Sequence, residues 1–340
     1  KLTLQPALQE IATNELGRSH SAAAAFVAVD VKSGRLLSLA EHFNPTHIVS
    51  RILNLQDGVH MALRALAPGS VNARLVAAGA LYEGGLSSSQ RTCYQAFLRT
   101  PQAKHLASGG DECRTLSEAF VESSKGYFTR QSMLKLDGRS FGRALLQSGF
   151  NQPFLFFALP YEPSSARVPL SPLGRARAVS GTHGSRLSAL HAALLATAIA
   201  SNGELPQPRL VEELIHKDGR RVAAPGAGTW GRGFSPETSV KLRAMLRAAT
   251  QEGVVKKLLR DSWPTRLRRH KVVGQIGIET HYSPFYRYSW FVGFYPAQRP
   301  RVAIASMVLN GERWDSRAID VTSRIMKRYL TQLEGEGQPR

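Results

Sequence analysis

The sequence predicts an α/β (α+β) fold: a central antiparallel sheet of about five strands with a large helical subdomain inserted between its N-terminal hairpin and its three C-terminal strands. Three observations lead there. Strand signals open and close the chain, helical periodicity fills the middle, and one middle segment is apolar on every face. With 340 residues the chain can bury one large core or two modest ones. A single sheet whose first and last strands meet is the economical solution. It makes residues 1–333 one domain, with sheet parts near 1–40 and 205–333, a helical part near 60–203, and a frayed tail at 334–340.

Leu4, Leu8, Ile11, Ala12 and Leu16 recur at helical spacing and predict a first helix. Ala24 to Val31 and Arg35 to Ala40 are apolar runs around Lys32-Ser33-Gly34, the pattern of a hairpin. Asn44 to Ala67 has no clean period and reads as loop with short helix. After Pro68-Gly69, Ser70 opens a helical run that stops at Gly84-Gly85. Thr115, with Glu118 three residues on, is a capping box at the head of the next helix. Gly126 weakens helix propensity before the pattern returns near Arg130 to Leu136 and Phe141 to Leu146.

Prolines 160, 163, 169 and 172 argue against regular structure from Phe154 to Ala178. Leu187 to Ala200, without a polar face, predicts a buried helix at the centre of the packing. Leu210 to Ile215 and Arg220 to Ala223 flank Asp218-Gly219 as a second hairpin. Ser235 and Pro236 start a helix with Leu242, Met245, Leu246 and Ala249 on one side. Trp263 to Lys271 is a basic connector. Strands at Lys271 to Thr280, Arg287 to Tyr295 and Val302 to Leu309, then a helix from Ser316 to Leu333, complete the chain.

The formal net charge of +19 comes from 44 Lys and Arg against 25 Asp and Glu. Such a field attracts acidic partners of several kinds. No zinc-finger spacing, aromatic RNA-binding motif or Arg-rich recognition helix accompanies it, which disfavours nucleic acid. No apolar run approaches the ~18 residues of a membrane span. An anchor upstream of Lys1 stays compatible with the sequence.

Cys93 and Cys113 either form a disulfide or are two unrelated thiols. Paired, they close a loop of about 20 residues, an entropic gain of about 3 kcal/mol, and imply an oxidising compartment. Neither lies in a zinc-type spacing, so no metal is expected. Ser70 also has two readings. At a helix start after Pro-Gly it is a cap, or a nucleophile placed where N–H groups and the helix dipole favour an oxyanion.

Ser70 on its helix, Ser123-Ser124-Lys125 further on, and Gly274-Gln275-Ile276-Gly277 on a late strand together resemble the transpeptidase domain of penicillin-binding proteins, over Leu2 to about Leu333. Flanking landmarks carry the resemblance in order. They are the hairpin Val27 to Leu39, the turn Ala67-Pro68-Gly69-Ser70, the segment Leu116 to Phe128, the apolar helix ending in Asn202-Gly203, and Ser289-Trp290-Phe291-Val292-Gly293-Phe294-Tyr295-Pro296.

That resemblance implies three site motifs, Ser-x-x-Lys, Ser-x-Asn and Lys-Thr-Gly. Each departs here. Ala73 stands where the first motif has lysine, the group that accepts the serine proton, and the adjacent Arg74 supplies charge but no base. The second motif keeps Ser123 and has Lys125 for asparagine, either a bystander in the cleft or a relocated base for Ser70. The third reads Gln275-Ile276-Gly277, the expected substrate-binding strand without the cation and hydroxyl that grip a carboxylate. Losing such a contact costs about 1.5–3 kcal/mol.

Removing a general base lowers a rate by roughly 10²–10⁴, and residues that act as a unit fail together. The expectation is a catalytically degenerate pseudo-transpeptidase that binds or scaffolds in peptidoglycan and cell-envelope assembly outside the cytoplasm. Its partner would be an envelope protein, peptidoglycan or another anionic glycan, with a β-lactam as a possible ligand and no cofactor. Two alternatives accompany it. One is an active acyl-serine D,D-transpeptidase or penicillin-binding enzyme using Ser70 with Lys125 as base. The other is a basic module for anionic polymer or lipid, with Lys256, Lys257, Arg260, Arg266, Arg268 and Arg269 as its patch.

Overall fold

A computed structural model describes residues 1–55, 60–97, 99–107, 109–156, 158–224, 228–253, 255–256, 272–314 and 316–335. In chain order the elements that frame the site are helix α1 (Pro6–Gly17), strands β1 (Ala23–Asp30) and β2 (Leu36–Phe43), helices α2 (Ser70–Glu83), α3 (Leu116–Val121), α4 (Lys125–Leu134), α5 (Ala189–Ala200) and α6 (Pro236–Gln251), strands β3 (Val273–Tyr282), β4 (Phe285–Tyr295) and β5 (Val302–Asn310), and helix α7 (Ala318–Gly335).

The strands form one five-stranded antiparallel sheet in the order β3-β4-β5-β1-β2, so the two ends of the chain meet where β1 pairs with β5. Both faces are covered. Ala23, Ala25, Val27 and Val29 of β1 enter a core shared with α2 and α5, while Ala24, Phe26 and Ala28 enter a second core with α1 and α7. Covering on both sides explains why β1 is an unbroken apolar run rather than an alternating one. Every residue of α5 is buried, as its lack of a polar face requires.

The outer edge of β2 is closed by α1. Gln9 Oε1 accepts from Leu39 N at 2.9 Å and from Ser38 Oγ at 3.0 Å, and its Nε2 donates to the Leu39 carbonyl at 3.1 Å. Helices α1 and α7 are clasped by Glu15, a buried carboxylate that Arg324, Arg328 and Arg18 approach at 2.9, 3.1 and 3.2 Å.

Three expectations are corrected. Gly126 lies inside α4, which starts at Lys125 because Ser124 Oγ accepts from Tyr127 N and caps it. Within the proline-rich stretch, Pro172–Val179 is helical, because Ser171 caps it and Pro172 occupies the first turn, where a proline lacks no useful N–H. Glu334 and Gly335 continue α7 instead of fraying, and 336–340 lie outside the described residues.

Candidate active site

Ser70 is the first residue of α2 and completely buried. Gly69 is the N-cap, and no side chain caps the helix, so Ser70 does not act as the cap. Its Oγ has no hydrogen-bond partner among the described residues. Edge strand β3 lies against it. A Cβ placed on Gly277 would fall inside contact distance of Ser70 Oγ and 3.0 Å from Val71 N. On the other side Gly181, at φ +78°, approaches the Ser70 carbonyl so closely that a side chain there would overlap it. Strand β3 cannot drift away, because its neighbour across the sheet, Trp290, is buried and donates from Nε1 to the Pro68 carbonyl at 3.1 Å.

One turn into α2, Ala73 is buried and presents only a methyl group. Arg74 is also buried, and that burial pushes its guanidinium below the ordinary value while Glu279 pulls it back. Glu279 lies on the same face of β3 as Gln275 and Gly277, since alternate residues share a face. Burial raises its carboxyl above the usual carboxylate range, opposed by Lys125 and then Arg74. Lys125 Nζ lies 3.4 Å from Glu279 Oε1, a charge contact, because that oxygen has no donor in hydrogen-bonding geometry among the described residues. The Lys125 amine is thus engaged by a carboxylate and makes no hydrogen bond to Ser70.

Gln275 closes the cleft at a second point. Its Nε2 donates to the Phe120 carbonyl at 2.7 Å, an oxygen that also accepts from Ser123 N at 3.0 Å. Its Oε1 accepts from the backbone N–H of Ile276 at 3.0 Å, and Thr250 Oγ1 bonds both the N–H and the carbonyl of Gly274. The first half of this strand edge is therefore filled by the chain's own side chains. Ser123 adopts φ +55° in the turn between α3 and α4. The chain matches the family "Penicillin binding protein transpeptidase domain" over residues 24–331, which contain all of these elements.

It belongs to that family.

This penicillin-binding protein transpeptidase chain is 23% identical over 337 residues to the peptidoglycan D,D-transpeptidase PbpA of Mycolicibacterium smegmatis, covering 91% of this chain and 67% of that one. Its fold matches penicillin-binding protein A from M. tuberculosis, solved as an imipenem acyl-enzyme complex, with a TM-score of 0.79 at 20% identity over 97% of this chain and 79% of that one. It also matches the D,D-transpeptidase domain of a peptidoglycan glycosyltransferase from Eggerthella lenta, with a TM-score of 0.77 at 22% identity over 99% of this chain and 83% of that one.

Of the residues singled out from the sequence, Ser70 and Gly277 touch, Gln275 reaches the turn that holds Ser123, and Lys125 reaches β3 through Glu279. Ile276 does not join them. Its side chain is on the opposite face of β3, packed against the core of α1 and α7, so it cannot line the cleft beside Ser70. Cys93 and Cys113 are joined in a disulfide across the short hairpin Thr92–Tyr94/Glu112–Arg114, and Tyr94 packs edge-on against Tyr127 of α4 at 5.8 Å. Lys256 is exposed, while Lys257, Arg260, Arg266, Arg268 and Arg269 lie outside the described residues. Sequence reasoning passed over Glu279. The signal was there, an acidic residue two positions beyond Gly277 on the face that points at Ser70.

The arrangement supplies positive charge from Arg74 and Lys125 and a counter-charge from Glu279. Among the described residues no group makes a hydrogen bond to Ser70 Oγ. Among the described residues there is no cluster of His, Cys, Asp and Glu able to hold a metal ion.

Proposed function

We propose that this chain is a pseudo-transpeptidase, a member of its family that has given up acyl transfer and works as a binding or scaffolding component of peptidoglycan and cell-envelope assembly outside the cytoplasm. The observation that carries the reading is the isolation of Ser70. Its Oγ is buried and has no hydrogen-bond partner among the described residues, Ala73 fills the position of the motif lysine, and the nearby Lys125 amine faces Glu279. A serine without a base in contact gains little over background reactivity. The self-bonded edge of β3 supports the same reading, because an extended peptide adding to that edge would first have to displace Gln275 and Thr250. An extracytoplasmic site of action is supported by the disulfide and by the peptidoglycan role named for the curated relative PbpA.

The test is labelling with a fluorescent penicillin, resolved on a denaturing gel, with Ser70→Ala as control. The expected gel shows no band that depends on Ser70. A stoichiometric Ser70-dependent band would refute the proposal, and its loss in Lys125→Ala would identify Lys125 as the base.

A further inference from the structure

Arg74 is 3% exposed, yet among the described residues its guanidinium makes no hydrogen bond and no ion pair. The charged side chain that acts on it is Glu279, through space. Arg74 follows Ser70 by four residues on α2, so the two share a helix face, and a long side chain there leans back over the turn that begins at Ser70. Ser70 Oγ is buried in that turn without a hydrogen-bond partner among the described residues. From β3, Glu279 Oε1 is buried and equally without a donor in hydrogen-bonding geometry, with Lys125 Nζ 3.4 Å away.

The charges in this group do not balance. Arg74 and Lys125 bring two positive charges and Glu279 one negative charge, while His183, which also acts on Glu279, is exposed. One positive charge is left over in a buried place, with the guanidinium N–H donors unused. A buried charge left unmet costs more than a buried neutral group left unmet, and protein interiors rarely leave either so. Water satisfies the N–H groups but not the charge. A monoanion satisfies both, whereas a dianion such as phosphate reverses the sign. Among monoanions a carboxylate matches the planar fork of the guanidinium with two parallel hydrogen bonds, and its remaining lone pairs can accept from the Ser70 hydroxyl. Gln275 and Thr250 occupy the adjoining edge of β3, so the carboxylate belongs to a small acid or to the very end of a chain.

We propose that the centre around Ser70 holds a carboxylate noncovalently, clamped by Arg74 and balanced by Lys125, with the Ser70 hydroxyl acting as a donor and not as a nucleophile. The inference rests on the reading of the chain as a pseudo-transpeptidase and names the chemical group that its site recognises. The clamping cation comes from α2, whereas the family motif would supply one from β3, where Gln275 stands. Lys125, with its side chain 16% exposed, and the exposed His183 border the site toward solvent.

The probe is acetate, followed by saturation-transfer difference NMR on the full chain at constant ionic strength, with chloride as the replacing salt. Saturable binding is expected. Arg74→Met should weaken it about tenfold or more, the worth of a charge-assisted contact. Glu279→Gln is nearly isosteric, removes the opposing carboxylate and should tighten binding severalfold, a gain that decides the matter even if Arg74→Met misfolds. The two sources of a carboxylate are separated by N-acetyl-dialanine: a chain end predicts tighter binding than acetate, a free acid predicts binding no tighter, and in both cases the C-terminal amide of the same peptide does not compete. Absence of saturable binding overturns the proposal. So does binding unchanged in Glu279→Gln or in a folded Arg74→Met, competition by the amide, or equal displacement by chloride, which would mark general attraction to a chain of charge +19. A Ser70-dependent penicillin adduct would defeat the proposed function and leave acetate binding as measured, whereas failure of acetate binding defeats this inference alone.

Discussion

Substituting Gly277 by alanine places a methyl group directly on the contact between β3 and the start of α2. The new Cβ would overlap Ser70 Oγ, which can rotate aside, and would stand 3.0 Å from Val71 N and 3.1 Å from Val71 Cβ, which belong to the helix and cannot. The strand has no room to retreat. Gly277 pairs with Trp290, and Trp290 is pinned to the Pro68 carbonyl just ahead of Ser70. Forcing one methyl group into such a contact costs about 1–3 kcal/mol. Urea unfolding of Gly277→Ala should show that loss. Ser70→Ala alone removes a buried hydroxyl that has no hydrogen-bond partner among the described residues and should be neutral or slightly stabilising. Combined with Gly277→Ala it relieves part of the overlap, so the double variant should be more stable than additivity allows by at least about 0.5 kcal/mol. A Gly277→Ala protein as stable as wild type, or strict additivity, would refute the close approach of strand and serine.

Other expectations are independent of that contact. Burial makes the Glu279 carboxyl harder to ionise in the folded than in the unfolded chain, so its contribution to stability is complete below the ordinary carboxylate range and is lost as pH rises through the raised folded value. Urea midpoints measured across that window should fall less in Glu279→Gln than in wild type, and an unchanged profile would count against the buried position of the carboxyl. His191, buried on α5 with Nε2 2.8 Å from the Ser148 carbonyl, is lowered from 6.5 to about 4. For this depressed group the stabilising contribution is present above the unfolded pKa and lost as pH falls toward about 4, a difference of roughly 3 kcal/mol that His191→Gln should abolish in the same titration. The Cys93–Cys113 link, at a sequence separation of 20, should leave no thiol reactive in the unreduced protein. Reduction should lower stability by about 3 kcal/mol, and two titratable thiols before reduction would disprove the link.

Much of the fold was legible because its signals are local. The capping box at Thr115 and Glu118 forms as read, Leu187 to Ala200 holds the buried helix α5, and the strand runs at both ends of the chain join in one sheet. What misled was also local. The intrinsic propensities of Gly126 and Pro172 point away from helix, whereas a serine cap in each case sets the helix start and overrides them. At the site, Ser70, Gly277 and Lys125 were visible as residues. The pairing of Lys125 with Glu279 and the reach of Gln275 to Phe120 join segments 154 and 155 residues apart in sequence, and no periodicity within either segment reports such contacts. Ile276 was misplaced for a simpler reason, since neighbours in a motif on a strand face opposite sides.

The isolation of Ser70 is tested most directly by the mass of the intact protein after prolonged incubation with penicillin G, run beside Ser70→Ala. The expected result is that both proteins keep their unmodified mass. A single covalent adduct that forms on the wild type, reaches completion and is absent from Ser70→Ala would contradict it.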